Sequence, residues 1–212
     1  MKKFTIGEVI SYGWETTKAH LPFFVVILIV TALVNFIPNY FVENLRQQIP
    51  ILSGLLSIAF WVLTMLVSLG SIKIALKIFD KKNPEVADLF NGYPQLFKFI
   101  IASIIYAVLV GVGFILLIVP GIIFGIKYHF YSYLIVDKNM GPLEALKKSG
   151  EITKGVKWNL FLLGLVLGLI NIVGALALVI GLFITIPLTM LAYAYVYRKL
   201  LGSASSKTPA KS

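Results

Sequence analysis

The 212-residue sequence predicts an all-α integral membrane protein with six transmembrane helices in three hairpins, each hairpin preceded by a cytoplasmic amphipathic interfacial helix. Three observations predict it. The composition is 58% hydrophobic and 13% charged, against about 25% charged in an ordinary soluble domain. The apolar residues gather into long charge-free runs. All but two of the 19 cations fall on one side of the alternation those runs set up.

Thr5-Ile6-Gly7-Glu8 has capping-box spacing and opens the first amphipathic helix, with Ile6, Val9, Ile10 and Trp14 at helical intervals. That helix is expected to lie in the membrane interface with Trp14 at headgroup depth. Lys2 and Lys3 would suit a signal peptide, but polar helix-like sequence follows where an apolar core should be, so no cleavage is expected.

Span 1 is residues 21–37, whose 17 uncharged residues are near the minimum for a hydrocarbon core of about 30 Å. Pro38, Asn39 and the polar residues to Pro50 form a short connection, and span 2 covers residues 51–72. Asn83-Pro84 reads as N-cap and first residue of a second amphipathic helix, 84–91, stopped by Gly92. Span 3 covers residues 96–119, where Pro120-Gly121 breaks the apolar run. As one helix the 38 residues from Phe99 to Val136 would extend about 57 Å, close to two crossings, so the turn falls at the far membrane face. Span 4, 122–136, ends at Asp137-Lys138-Asn139.

Gly141-Pro142 opens the third amphipathic helix, with Leu143, Leu146, Ile152 and Val156 as its apolar positions. The 40 uncharged residues 158–197 hold spans 5 and 6, with a bend between Gly174 and Gly181. Residues 1–201 form one membrane domain, and the small, polar, basic tail 202–212 is expected to be disordered.

Seventeen cations lie in the N-terminal segment, the 2–3 and 4–5 connections and the C-terminus, against Arg46 alone on the other side, with Lys127 inside span 4. Both termini are therefore expected in the cytoplasm of a cell-membrane protein. The first and third amphipathic helices align at an offset of 136 on Glu8 with Glu144, Glu15 with Glu151, Thr17 with Thr153 and Lys18 with Lys154. Duplication and shared interfacial physics account for these matches equally well.

Span 4 is the most polar of the six. A charge at helix centre costs roughly 2.5 to 3.5 kcal/mol even on insertion scales, so Lys127 needs compensation or escape. With Lys127 and Tyr131 at i,i+4 and His129 between them, one reading is an intramembrane polar site for an anionic headgroup or ion; the other is a lysine that snorkels from a short, tilted span to the outer surface. His129 by itself reads first as a packing residue. All nine carboxylates fall in loops or interfacial helices, cysteine is absent and only two histidines exist, so no catalytic, metal or cofactor site is expected. The basic residues are spread between apolar runs and point to anionic lipid, with no nucleic-acid partner.

Residues 116–158, LLIVPGIIFGIKYHFYSYLIVDKNMGPLEALKKSGEITKGVKW, resemble poorly characterised bacterial membrane proteins related to the membrane domain of some glycerophosphodiester phosphodiesterases. Pro120, Gly121, Lys127, Asp137, Glu144, Ser149, Gly155 and Trp158 carry the pattern. Gly150 departs from it, standing where an aromatic or basic residue is common. The resemblance implies an integral membrane module; the hydrolytic activity belongs to a separate soluble barrel that this chain lacks. The expectation is a non-enzymatic membrane protein acting on inner-leaflet anionic lipid as an envelope-organising or partner-binding module. The alternative is a small lipid or solute transporter built around Lys127.

Overall fold

In a computed structural model of the chain, residues 4–177 and 180–205 are described, and they are all-α. The helices are α1 (Ile6–Ala19), α2 (Leu21–Arg46), α3 (Pro50–Phe79), α4 (Leu96–Leu116), α5 (Ile118–Tyr128), α6 (Tyr131–Lys138), α7 (Pro142–Ile152), α8 (Lys157–Leu176) and α9 (Leu182–Ser205). Three pairs of neighbours, α2 with α3, α4 with α5 and α8 with α9, pack side by side. Among the described residues, five stretches are long and apolar enough to cross a membrane: Leu21–Arg46, Pro50–Phe79, Val86–Leu116, Ile118–Lys138 and Lys157–Leu176. They mark a multi-pass membrane protein. α9 is not among them, because Arg198, Lys199 and three tyrosines dilute its apolar run; among the described residues five candidate spans, not six, stand on length and hydropathy.

Thr5 caps α1 as its spacing predicts, its Oγ1 accepting the Glu8 N–H at 3.3 Å. The helix does not lie alone in the interface, however. It packs along α9 through Val9, Gly13 and Thr17, spaced four apart and buried. The contact is backbone-close: a Cβ on Gly13 would lie 2.9 Å from the Leu188 carbonyl oxygen. Trp14 stays on the outer face, with the Lys18 ammonium 5.4 Å from its ring centre.

α2 runs past the expected end of span 1 to Arg46, so the connection to α3 shrinks to a few residues around Gln47. In lipid every peptide group must find a partner, which favours continuing a helix through residues that would end it in water. α3 likewise runs past residue 72 to Phe79, carrying Lys73 and Lys77 on its last turns.

The second amphipathic helix expected at 84–91 is absent. Two short 3-10 turns, Val86–Leu89 and Tyr93–Gln95, take its place. Tertiary packing overrides the local pattern here. A Cβ on Gly70 of α3 would overlap the Leu89 backbone, so the segment presses its backbone onto α3, closer than a helix with side chains can come. Asp88, buried beneath it, accepts from the Glu85 N–H at 2.9 Å and from the Lys77 ammonium at 2.7 and 2.8 Å. The three-unit plan therefore keeps its first and third amphipathic helices and loses the second.

The reversal between α4 and α5 falls at extended Leu117 (φ −167°, ψ 154°), three residues before Pro120. Pro120 sits in the first turn of α5, where a missing N–H leaves no bond unmade. Gly121 serves packing instead: a Cβ on Gly113 would lie 2.9 Å from its Cα, and one on Gly121 would strike the Phe114 ring.

Span 4 is not one helix but two, α5 and α6, broken at His129 and Phe130. α6 ends at Lys138 as expected, on Asn139 in the left-handed region (φ 53°). α7 begins at Pro142 as expected. The bend between α8 and α9 brings Gly174 onto Gly181, and residues 178 and 179 lie outside the described residues. α9 continues through Ser205, so residues 202–205, read as tail, are helical; residues 206–212 lie outside the described residues.

The core gathers at the lysine-rich end, where Phe130, Leu134, Ile135, Ile152 and Tyr197 are completely buried. Towards the opposite, loop end the helices expose large apolar side chains, Phe36 by 76%, Ile51 by 81% and Ile115 by 85%. Such a contiguous apolar surface fits lipid, not water.

Candidate functional site

The polar trio read from span 4 is dispersed by the break after Tyr128. Tyr131 turns to α4, its hydroxyl 2.9 Å from Ser103 Oγ and its ring stacked on Phe99 at 6.0 Å. His129 turns to α9, its ring centre 4.5 Å from that of Tyr193. Lys127 turns to α7: its Cε lies 3.0 Å from where a Cβ on Gly150 would stand, and its ammonium is 4.7 Å from the Tyr128 ring centre. Gly150, the departure from the resemblance, is what makes room for the lysine stem. Lys127 thus stands at the α7 end of α5, away from the reversal at Leu117.

α7 supplies the hydrogen bonds that the break removes. The Ser149 hydroxyl donates to the Lys127 carbonyl at 3.0 Å and accepts the Phe130 N–H at 3.1 Å. The Thr153 hydroxyl lies 3.1 Å from the same carbonyl and 2.8 Å from the Ser149 carbonyl. Ser149 and Thr153 are fully buried, so these bonds form out of reach of water.

The remaining pattern residues also hold local structure. Glu144 accepts the Gly141 N–H at 3.3 Å at the start of α7. Gly155 has φ +82°, a conformation that disfavours any side chain. Asp137 accepts from Arg198 at 2.8 Å and from the Tyr197 hydroxyl at 2.9 Å, while Arg198 also pairs with Asp80 at the end of α3. One guanidinium thus ties α3, α6 and α9. Glu8 pairs with Lys199 at 3.8 Å and joins α1 to the same end; the Tyr195 hydroxyl, and Glu8 after it, hold that ammonium above the usual lysine range.

Around α7 a group of cations has no such partner. Among the described residues, Lys127, Lys147, Lys154 and Lys157 form no ion pair, whereas Lys148 meets Glu151 at 3.1 Å. Lys147 and Lys154 are exposed, and Leu143 and Trp158, at 70% and 68%, are exposed beside them. Exposed cations interleaved with an aliphatic and an indole side chain suit a lipid headgroup region.

Two polar features lie inside the helix bundle; the first contains His129 of the expected polar site, and the second escaped sequence reading. A cavity of about 350 Å³ between α4, α5, α8 and α9 is lined by Tyr106, Gly125, His129, Gly164 and Tyr193 among apolar walls. The His129 Nε2 is buried with no hydrogen-bond partner among the described residues. Between α2, α3, α8 and α9, Asn171 donates to Thr189 Oγ1 at 2.8 Å beside a second cavity of about 330 Å³. An amide in an uncharged 40-residue run was the available signal, since in lipid it must find a partner on another helix.

No group of histidine and carboxylate residues suited to a metal occurs among the described residues. No solved structure matches the chain. Uncharacterized proteins of Mycobacterium bovis (strain ATCC BAA-935 / AF2122/97) and Mycobacterium tuberculosis (strain CDC 1551 / Oshkosh) are each 29% identical over 145 residues, 68% of this chain and 44% of theirs. A further one, from M. tuberculosis strain ATCC 25618 / H37Rv, is 28% identical over the same shares. The chain thus spans less than half the length of these relatives. None of these matches carries a phosphodiesterase name. The description "Protein of unknown function (DUF975)" matches residues 95–204, from the turn before α4 almost to the end of α9. With just over half of its length matched, the chain belongs to the DUF975 family.

Proposed function

We propose that this protein is a non-enzymatic multi-pass membrane module that gathers anionic lipid of the inner leaflet at its lysine-rich end, organising the envelope or presenting a surface to a protein partner. The observation that carries this reading is the unpaired cation group Lys127, Lys147, Lys154 and Lys157, set around a helix that Ser149 and Thr153 anchor to the bundle. α9 forms the sixth crossing, placing both termini in the cytoplasm, as the 17-to-1 distribution of cations favours. The kinship of residues 116–158 with phosphodiesterase membrane domains belongs to the same reading and brings no hydrolysis with it.

The test is the lipid retained by the full chain in nanodiscs of equal phosphatidylglycerol and phosphatidylcholine. Enrichment of phosphatidylglycerol around the wild type, reduced by Lys147→Gln with Lys154→Gln, is expected; retention in proportion to the mixture overturns the reading.

A second reading, a small lipid or solute transporter, draws on the cavity beside His129 and Tyr193 instead of on Lys127. Flux in proteoliposomes that Gly164→Leu abolishes would favour it. Absence of flux favours the module.

A further inference from the structure

The outer faces of α5 and α8 enclose a groove of about 280 Å³. Val119, Ile123 and Ile126 form one wall, and Phe161, Trp158 and Lys157 the other. From Val119 to Ile126 the groove follows seven residues of helix, about 10 Å. Its two ends differ in chemistry. At the Leu117 reversal it is wholly apolar, while at the α7 end it finishes on the methylene stem of Lys157, a residue with no ion-pair partner among the described residues, and on Trp158, stacked on Phe161 at 5.3 Å. Lys154, exposed and three residues before Lys157 in sequence, is a second cation without an ion-pair partner among the described residues.

An apolar channel about 10 Å long, with the stem of one unpaired lysine and an indole at its end, matches an amphiphile whose anionic head lies just outside the groove. A detergent-like cation is repelled by Lys157, and a soluble anion gains nothing from the wall. We infer that the α5–α8 groove is a specific site for one anionic phospholipid, whose acyl chain lies along Ile123 and Ile126 and whose phosphate meets Lys157. The inference rests on the proposed gathering of anionic lipid and assigns it one discrete seat. The groove also shares Ile122, Ile126 and Phe161 with the inner cavity, so those three side chains are the partition between bound lipid and bundle interior.

The experiment is native mass spectrometry of the full chain in detergent, titrated with phosphatidylglycerol and, separately, with phosphatidylcholine of the same acyl chains. Lys157→Gln removes the charge; Ile123→Trp fills the groove from a position 39% exposed, where an indole faces lipid and the fold tolerates it. Arg46→Gln, at the loop end, is the control, and helicity by circular dichroism checks folding. One phosphatidylglycerol per chain is expected on the wild type and the control, weakened about five-fold by Lys157→Gln. Ile123→Trp should abolish that first bound lipid. Wild-type binding in either variant overturns the site while leaving the general preference for anionic lipid intact. Equal binding of both lipids by the wild type overturns that preference as well.

Discussion

The hydroxyl of Ser149 bridges the two backbone groups that the helix break exposes, donating to the Lys127 carbonyl at 3.0 Å and accepting from the Phe130 N–H at 3.1 Å. Ser149→Ala leaves that amide buried and unpaired and weakens the hold on the carbonyl, at a cost of about 1–3 kcal/mol. A lowered unfolding temperature in detergent, with faster amide exchange at residues 127–131, is the expected result. An unchanged exchange rate there would mean that α7 does not secure the break.

Arg198 bridges Asp137 and Asp80 with its two terminal nitrogens. Arg198→Gln should lower stability by about 2 kcal/mol, less than for a fully buried pair because Asp80 keeps 29% exposure. Arg198→Lys should recover only part of this, since one ammonium lacks the fork that reaches both carboxylates. The comparison is made by thermal unfolding of the two variants in the same detergent.

Gly70 and Gly54 lie on the same helix with opposite surroundings. A Cβ on Gly70 meets the backbone of Leu89, whereas one on Gly54 meets nothing within 4 Å. Gly70→Ala should destabilise by about 1–3 kcal/mol and raise amide exchange across residues 86–95. Gly54→Ala should be neutral or stabilising by up to about 1 kcal/mol. Thermal unfolding and exchange of the pair read this directly.

Gly155 is the one described glycine at positive φ. Gly155→Ala should cost about 1–2 kcal/mol and loosen the joint between α7 and α8, while Gly168→Ala, in open helix surface, should not. Unfolding temperatures of the two variants make the comparison.

Local signals in the sequence carried well. The Thr5 cap, the start of α7 at Pro142 and the end of α6 before Asn139 are each set by neighbouring residues, and each stands where its spacing placed it. What could not be read locally depends on distant partners. Residues 84–91 have the caps of a helix, but contact with Gly70 and the Asp88–Lys77 pair hold them in 3-10 turns. Lys127, His129 and Tyr131 appear as one polar face only if the helix is continuous; Ser149, 22 residues beyond Lys127, stabilises the break that separates them. Helix lengths were underestimated for α2 and α3 because prolines and lysines were read as terminators, as in water. The pattern residues Asp137, Ser149 and Gly155 were legible as a motif, yet their work in ion pairing, backbone bridging and a left-handed joint is visible only in three dimensions.

The lipid reading stands on the lysine-rich end facing the cytoplasm, and the absence of cysteine makes that directly measurable. In intact bacterial cells expressing the full chain, a membrane-impermeant thiol reagent should label Gln48→Cys, in the α2–α3 loop, and should leave Lys154→Cys unlabelled until the cells are lysed. Labelling of Lys154→Cys in intact cells, with Gln48→Cys protected, would contradict the account.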